Sequence, residues 1–289
     1  PDDVLVVTAL EHHSNLVPWQ QLCQRTGARL HVLAVDEFGR LLMPEALPAR
    51  TRFLAATRVS NAVGTIVNTT RLVDLAHRAG VPVLLDLAQA AGHLPLDEGS
   101  LQADFLVLSA HKLYGPTGLG LLRGRSEHLA NMEPVSFGGE MVTAVRALDA
   151  DWQPPPLRFE AGTPPIAEAI AFVPALDLIE SLGLANIREH ELGLLRSALQ
   201  GLANVPGLRL VGPKSAEERS GVISMALPGG DPQVAAAVLD AAGIAVRSGY
   251  HCAQPLLDAL ECGPTLRMSV ALYTTQSDID RLLAELPGA

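Results

Sequence analysis

Residues 105–116 read FLVLSAHKLYGP and are the most informative part of the sequence about the fold. The segment opens with a short apolar run of strand length, residues 105–109, and His111 and Lys112 follow directly. In open α/β sheets, ligands bind at the carboxyl ends of the strands. Lys112 is therefore a candidate for chemistry, although a solvated lysine at a loop entrance is the plainer alternative.

Strand-like apolar runs alternate with helical patterns on both sides of this segment. The predicted helices, residues 16–25 and 72–78, end near Gly27 and Gly80, a usual stop signal. Near-continuous apolar strands between helices indicate a mainly parallel sheet with helices on both faces. The predicted strands in this half of the chain are residues 4–10, 30–35, 53–59, 81–85, 105–109 and 118–122.

The second half of the chain predicts a different organisation. Prolines crowd residues 149–165, which predicts a connection and not the interior of an element. One or two long helices follow at residues 166–202, with a break at Gly183, and Thr275 with Asp278 resembles a capping box. Further strands are predicted at 208–211, 221–227, 244–247 and 266–271, and helices at 233–242 and 278–286. We therefore predict an α/β protein with a large domain at 1–165, connecting helices at 166–204 and a small domain at 205–289.

Composition narrows the classes of function. A formal net charge of −10 argues against nucleic acid or an anionic membrane as the main partner, because phosphate binding needs clustered Lys and Arg. No apolar run approaches the ~20 residues that span a bilayer, and the start of the chain predicts no export signal. The three cysteines, Cys23, Cys252 and Cys262, fit a reducing cytoplasm better than a disulfide scaffold, and no pattern predicts a metal site.

A second candidate group is Asp86, which follows another apolar strand in the segment DLAQ, residues 86–89. An aspartate there could simply cap the next turn. However, enzymes that use pyridoxal 5'-phosphate (PLP) need a protein partner for the pyridinium nitrogen. Asp86 and Lys112 on neighbouring strand ends would supply an acidic partner and an amine.

The third candidate lies in residues 247–255, RSGYHCAQP. Cys252 follows a glycine turn and precedes a predicted helix at 255–260, with Arg247 and His251 close in sequence. A thiol near a helix N-terminus and beside cations is in a setting that favours the reactive thiolate. A buried structural cysteine is the plainer alternative.

These segments resemble those of the SufS-like (group II) cysteine desulfurases, in the class V aminotransferase family of fold-type I PLP enzymes. The Lys112 and Cys252 motifs are both long and specific, and the resemblance covers essentially the whole chain in the family's order. It implies the fold-type I architecture, whose N-terminal part has no counterpart in this sequence. The matching segments are residues 11–20, 59–61, 86–89, 109–118, 158–164, 247–255 and 266–273.

The resemblance also implies how PLP is held. Lys112 would carry PLP as a Schiff base, Asp86 would pair with the pyridine nitrogen, and His12 would stack on the ring. His12 or His13 as an ordinary core histidine remains the plainer alternative. The remaining PLP contacts that the family implies are Gln89 to the ring hydroxyl, Ser109 and His111 to the phosphate, and Thr163 to the phosphate of a neighbouring subunit.

For the substrate, the resemblance implies that Asn61 and Arg267 hold the carboxylate, a bidentate role that suits arginine. Arg247 would lie beside the thiol, and Cys252 would be the nucleophile. Asn61 could instead be an ordinary turn residue, and Thr163 could simply start a helix. Cys23 and Cys262 are interpreted as structural, because a free cysteine packs as a small hydrophobe.

The implied activity is removal of sulfur from L-cysteine to give L-alanine and a persulfide on Cys252, with Lys112 taking the Cα proton. A separate acceptor protein would take the sulfur for iron–sulfur cluster or other sulfur-compound biosynthesis. The enzyme would be a cytoplasmic homodimer with shared active sites. Two alternatives stay open: a selenocysteine lyase or other C–S lyase on the same scaffold, and a degenerate non-catalytic scaffold. The sequence departs from the family pattern at Arg58, Leu87, Pro165 and Tyr250.

Overall fold

The larger sheet brings Asp86 and Lys112 to the carboxyl ends of its strands. A computed structural model of the chain describes residues 1–96 and 101–286. Strands β1 to β5 run parallel and lie in the order β2-β1-β3-β4-β5, with β6 added beside β5. This confirms the predicted mainly parallel sheet. The strands are β1 (Val4–Thr8), β2 (Arg29–Leu33), β3 (Thr51–Thr57), β4 (Val83–Asp86), β5 (Phe105–Ser109) and β6 (Gly120–Gly124).

The last strand of this sheet differs from the others in direction. β6 pairs with β5 in antiparallel register, from Phe105 opposite Gly124 to Ser109 opposite Gly120. The reason is the length of the connection, because parallel neighbours need a crossover of about a dozen residues or more. The segment between β5 and β6, residues 110–119, is shorter and turns the chain straight back.

Helices pack on this sheet much as the sequence predicts. α1 (Val17–Thr26) ends at Gly27, whose φ of 75° is the left-handed conformation that favours glycine. α2 (Thr69–Arg78) begins at Asn68, whose side chain accepts a hydrogen bond from the amide of Arg71. A further short helix, α3 (Ser126–Asn131), follows β6 and has no buried residues, which explains why no apolar pattern predicted it.

The two long helices are α4 (Ile166–Leu182) and α5 (Leu184–Leu202), and the predicted break at Gly183 is confirmed. Gly183 has a φ of 78°, and the two helices bend by 76° there. In the described ranges no single helix is long and apolar enough to cross a bilayer; only α4 and α5 taken together, across this bend, pass that test.

A second, smaller sheet is formed by the chain after α5. Its four strands are antiparallel and lie in the order β11-β12-β10-β9. Leu195 of α5 packs against its core with Ile223 and Leu266. The capping box of Thr275 and Asp278 at the start of the last helix is confirmed. The elements here are β9 (Arg209–Val211), β10 (Val222–Ala226), α6 (Pro232–Ala241), β11 (Arg247–Gly249), α7 (Gln254–Ala259), β12 (Thr265–Ser269) and α8 (Gln276–Glu285).

Two sequence predictions about element positions are wrong. Within residues 149–165, predicted as a connection, β8 (Ala150–Trp152) pairs with β7 (Val142–Val145). β7 is largely exposed and β8 is half-buried, and Arg146 directly after β7 donates to Asp151 of β8. Neither strand has the apolar alternation from which a strand is predicted. The strand predicted at 244–247 begins only at Arg247, because the preceding segment packs into the core as a loop.

The two sheets meet at a seam, which we define as residues 60–67 against residues 211–224. Arg219 is fully buried in it and donates to the carbonyl oxygens of Val63 at 3.2 Å, Val211 at 2.9 Å and Pro213. Burial lowers the pKa of Arg219 to about 10, so the guanidinium stays charged at neutral pH. The chain of the larger sheet is thereby bonded directly to that of the smaller sheet.

Two glycines bring the backbones together at the seam. Gly64 has a φ of 74° and Gly212 a φ of 101°. A Cβ on Gly64 would lie 2.6 Å from the carbonyl oxygen of Val222, and a Cβ on Gly212 would lie 2.6 Å from that of Val63. Both distances are far inside van der Waals contact, so a side chain at either position would push the seam apart.

Candidate active site

The carboxyl ends of β4 and β5 bring Asp86 and Lys112 to the same edge of the larger sheet. Asp86 is the last residue of β4, is buried, and pairs in register with Val107 of β5. Lys112 lies in the 3-10 turn that follows β5 directly. Parallel strands that end side by side therefore place a buried carboxylate and an amine where α/β sheets bind ligands.

Local backbone contacts hold the turn that carries Lys112. The amide of Gly115 donates to the carbonyl of Ala110 at 3.0 Å, and Tyr114 closes the turn with a left-handed φ of 60°. Gly92 backs the turn: a Cβ there would lie 2.8 Å from the Lys112 carbonyl oxygen. The turn can approach this closely only because residue 92 has no side chain.

The charges around Lys112 come from both sheets. Burial lowers the pKa of Lys112, and the carboxylate of Asp86 opposes that shift. Arg267 and Arg247 lower the pKa further, whereas Cys252 raises it. The amine therefore lies within electrostatic reach of the carboxylate on one side and of the arginines and thiol on the other.

His12 comes just before a short 3-10 turn, His13–Asn15. Its Nδ1 accepts a hydrogen bond from the amide of Ser14 at 3.1 Å. Burial lowers the pKa of His12, the charge of Lys112 lowers it further, and Asp86 opposes both. The ring therefore lies within electrostatic reach of both Lys112 and Asp86.

Glu11 is a residue to which the sequence assigned no role. It is buried and accepts hydrogen bonds from the Thr57 amide at 2.9 Å, the Asn15 side chain at 2.6 Å and the Thr8 hydroxyl. Burial raises the pKa of Glu11 to about 7, although its hydrogen bonds oppose the shift. The only signal in the sequence is a carboxylate close behind an apolar strand.

The loop of Cys252 reaches this site from the smaller sheet. Arg247 Nη2 lies 3.7 Å from Cys252 Sγ. His251 is buried, and its Nε2 lies 2.8 Å from the Thr265 hydroxyl. Burial lowers the pKa of His251 to about 4, so this imidazole is neutral at neutral pH. The thiol is half-exposed, and Arg247 is the cation beside it.

Asn61 and Arg267 complete the group from opposite sides of the seam. Arg267 Nη1 donates to the Asn61 carbonyl at 2.8 Å, and the Asn61 side chain donates to the carbonyl of His251. Burial lowers the pKa of Arg267 to about 10. Among the described residues, Arg267 Nε and Asn61 Oδ1 are buried with no hydrogen-bond partner. Buried polar atoms usually have a partner, and a bound ligand is one group that could supply it here.

Four of the sequence-predicted residues have no side-chain hydrogen bond in the described structure that connects them to the rest of the site. Ser109 ends β5, and Gln89 is half-buried in the turn after β4. His111 is exposed, and Thr163 is exposed in the loop before α4. Within residues 1–96 and 101–286, no side-chain hydrogen bond joins these four to the other candidates. The structure therefore gathers Lys112, Asp86, His12, Asn61, Arg267, Arg247 and Cys252.

A cleft of about 500 Å³ opens on the smaller-sheet side of this group. Arg247, Arg267, Tyr273 and Arg281 line it. Lys112 does not belong to its described lining, so the cleft adjoins the gathered residues and does not enclose them.

Comparison with known proteins assigns the chain and its fold to a family. Residues 1–282 match the family model described as aminotransferase class-V, and the chain belongs to that family. The structure resembles the crystal structure of the cysteine desulfurase CsdA (S-sulfonic acid) from Escherichia coli, with a TM-score of 0.91 at 37% identity, covering 99% of this chain and 71% of that one. It also resembles the apo structure of a cysteine desulfurase from Thermococcus onnurineus NA1, with a TM-score of 0.95 at 35% identity, covering 99% and 72%. The predicted fold-type I architecture is thus confirmed.

Similar sequences are also named as cysteine desulfurases. A "Probable cysteine desulfurase 1" from Mycobacterium leprae is 47% identical over 283 residues, which cover 97% of this chain and 46% of that protein. A "Cysteine desulfurase" from Cronobacter sakazakii is 44% identical over 288 residues, covering 98% of this chain and 70% of that protein. The chain therefore spans less than half of the first relative and more than two thirds of the second.

Proposed function

We propose that this chain carries out the chemistry of a PLP-dependent cysteine desulfurase, which converts L-cysteine to L-alanine and leaves the sulfur on Cys252. One arrangement carries the proposal: Asp86 and Lys112 lie where neighbouring strands finish, at the same end of the larger sheet. From the smaller sheet, Arg247 lies 3.7 Å from Cys252 Sγ and in register with Arg267. These groups lie within electrostatic reach of Lys112. Such a site has an amine for the cofactor, a carboxylate for its ring nitrogen, arginines for a carboxylate and a thiol to receive sulfur. The names of the relatives point to the same reaction.

The residues fit PLP. A half-buried amine with a lowered pKa lies at the strand ends near a buried carboxylate, and Gly92 leaves the space in which its turn is seated. PLP bound through Lys112 supplies an electron sink for the bonds at the substrate Cα. Asp86 would hold a proton at the pyridine nitrogen, and His12 would cover one face of the ring. The remaining contacts that we propose are Gln89 to the ring hydroxyl, and Ser109 and His111 to the phosphate.

The substrate would be oriented by its carboxylate. Arg267, with a pKa of about 10, keeps its positive charge at neutral pH and has an unused buried Nε donor. Asn61 is bonded to Arg267 and would line the same pocket. Lys112, whose pKa is lowered by burial, would be suited to accept the proton from the substrate Cα.

The sulfur step needs no outside oxidant. The Cβ–S bond of L-cysteine breaks, an S–S bond forms at Cys252 Sγ, and the former Cβ gains a proton to become the methyl group of alanine. Cys252 thiol plus L-cysteine thus becomes Cys252 persulfide plus L-alanine, with atoms and electrons balanced. Arg247, 3.7 Å from the sulfur, would stabilise the negative charge on the attacking thiolate.

We also propose that the enzyme works as a homodimer. Apolar side chains are exposed along α4, including Ile166 at 56% and Ile170 at 68%, and Leu148 in the turn between β7 and β8 is 98% exposed. An apolar surface of this kind marks an interaction site. Thr163 lies at the start of the same surface, where it would reach the phosphate in a second copy. Ile170→Glu should shift the protein towards monomer in light scattering, whereas Glu168→Gln on the same helix should not.

A separate acceptor protein would take the sulfur from Cys252, for iron–sulfur cluster or other sulfur-compound biosynthesis. The half-exposed thiol supports such a transfer. The three free cysteines support a reducing compartment, the cytoplasm. The chain would divide into a large domain at 1–165, connecting helices at 166–204 and a small domain at 205–289. The separation of the six-stranded sheet from the four-stranded sheet supports this division.

The test is a spectrum and a product assay on the protein loaded with PLP. We expect an absorbance band near about 420 nm, a change of that band with L-cysteine, and formation of alanine. Cys252→Ser should keep the band and lose the cysteine-dependent persulfide. A band without alanine would contradict the proposal. Alanine release from L-selenocysteine but not from L-cysteine would favour the selenocysteine lyase instead.

A further inference from the structure

We propose that His13 is a positioning residue that holds the loop of Cys252 against the turn of His12. In its catalytic consequence this inference rests on the proposed function, but its structural part does not. His13 makes two hydrogen bonds to the loop of Cys252. Its backbone amide donates to the Cys252 carbonyl at 2.8 Å, and its Nε2 accepts from the Gln254 amide at 3.2 Å.

The Gln254 amide needs an acceptor from outside its own helix. Gln254 is the first residue of α7, and the first amides of an α-helix have no partner within the helix. The residue before it, Ala253, has no side-chain acceptor to cap the helix. The imidazole of His13, 241 residues earlier in the chain, takes that role.

The Cys252 loop also needs support because its backbone is strained. His251 and Cys252 are consecutive non-glycine residues with φ of 52° and 57°, in the left-handed region. Such a conformation persists only where surrounding contacts over-determine it. The contacts of His251 with Asn61 and Thr265 anchor the loop on one side of the thiol. On the other side, His13 holds both the Cys252 carbonyl and the Gln254 amide.

His13 is itself fixed to the larger sheet. The turn that it starts is bonded through Asn15, whose side chain donates to Glu11, and Glu11 accepts the amide of Thr57 at the end of β3. The residue before His13 is His12, the proposed cover of the PLP ring. One rigid turn therefore sets the position of the ring cover and of the thiol together.

The chemistry of the imidazole specifies which variants test this. Nε2 can accept the Gln254 amide only when that nitrogen carries no proton. In His13→Gln, the side-chain oxygen reaches about as far as Nε2 and can accept the same amide. In His13→Asn, the oxygen is one bond too short. The two variants are both polar and uncharged, so they differ mainly in reach.

The measurement is hydrogen exchange of the Gln254 amide, resolved to single residues, in the folded protein without substrate. We expect exchange to rise about ten-fold in His13→Asn and to stay near the wild-type rate in His13→Gln. Amides of β1 should not change in either variant. His31→Asn, on an exposed residue of β2, is the control for replacing a histidine elsewhere and should leave Gln254 unchanged.

The second arm is steady-state desulfuration. In His13→Asn we expect kcat to fall about ten-fold with KM for L-cysteine nearly unchanged, and His13→Gln to recover most of kcat. Equal exchange at Gln254 in His13→Asn and wild type would overturn the proposal, as would equal kcat in the two variants. Absence of any alanine in wild type would refute the proposed function, and the exchange experiment would still decide whether His13 holds the loop.

Discussion

Arg247 and Arg267 lie directly opposite each other on β11 and β12, yet they point to different partners. They are register partners across the antiparallel pair. Arg247 Nη2 faces Cys252 Sγ at 3.7 Å, whereas Arg267 Nη1 donates to the Asn61 carbonyl at 2.8 Å. Opposed like charges are destabilising, and Arg247 contributes to the lowered pKa of Arg267. In the proposed reaction, this arrangement would leave one cation for Cys252 and the other for the substrate carboxylate.

Replacing Arg247 by leucine should slow the reaction of Cys252 with iodoacetamide. The guanidinium stabilises negative charge on the sulfur, and its loss should lower the rate constant at neutral pH about five-fold. Peptide mass spectrometry would assign the alkylation to Cys252, with Cys262 as the internal reference. Arg281→Leu, in the same cleft but bonded to the Ala242 carbonyl, should leave the rate unchanged. An unaltered rate in Arg247→Leu would argue against this role.

Replacing Lys112 by arginine should abolish covalent attachment of PLP while keeping a positive charge. A guanidinium stays protonated and cannot act as the amine nucleophile or as a base. We expect loss of the band near about 420 nm and a fall in alanine formation of about 10³-fold or more. Lys214→Arg, on the face of Phe38 away from the site, is the matched control. Alanine formation by Lys112→Arg at a rate near that of wild type would exclude Lys112 as the PLP lysine.

Glu11 should make stability depend on pH in a specific direction. Its pKa in the folded protein, about 7, lies above the ordinary value of 4.5, so the folded state binds the proton more tightly. The stabilisation is fully present below pH 4.5 and is lost as the pH rises through about 7, with a slope of at most about 1.4 kcal/mol per pH unit.

Urea unfolding at several pH values would measure this effect. Between pH of about 5 and about 7, the free energy of unfolding of wild type should fall relative to Glu11→Gln by about 1 kcal/mol per unit. Glu37→Gln, at an exposed position, should run parallel to wild type. A constant difference between wild type and Glu11→Gln would mean that Glu11 does not titrate in this range.

The sequence predicted the sheet and its strand ends well, because buried parallel strands appear directly as apolar runs. The positions of Asp86 and Lys112 followed from those runs. The sequence assigned Glu11 no role and left His13 as a possible core histidine, because the roles of both residues depend on partners that periodicity does not reveal. His13 meets Gln254 across 241 residues, and no local pattern encodes such a contact. The β7–β8 hairpin was missed because its strands lack apolar alternation.

Arg219 should be among the most costly residues to replace. Its side chain satisfies three buried carbonyls, so Arg219→Leu would leave them unpaired at a cost of about 3 kcal/mol or more in the free energy of unfolding. Arg219→Lys should cost less, because it keeps the charge. Arg196→Ala, which breaks an exposed pair with Glu217, should cost less than about 1 kcal/mol. Denaturation followed by tryptophan fluorescence would compare the three, and equal stability of Arg219→Leu and wild type would contradict the assigned role.

The glycines of the seam affect the spacing of the residues proposed to bind the substrate carboxylate. Gly64 lies three residues after Asn61, and its backbone closely approaches the carbonyl oxygen of Val222 in β10. In the same strand, Ser224 pairs in register with Arg267. The distance between Asn61 and Arg267, the two groups proposed for the substrate carboxylate, therefore depends on the absence of a Cβ atom at Gly64. A methyl group at Gly64 would push the two backbones apart without touching Asn61 or Arg267. We expect it to raise the KM for the amino acid, because the two groups proposed to hold its carboxylate would no longer be correctly spaced.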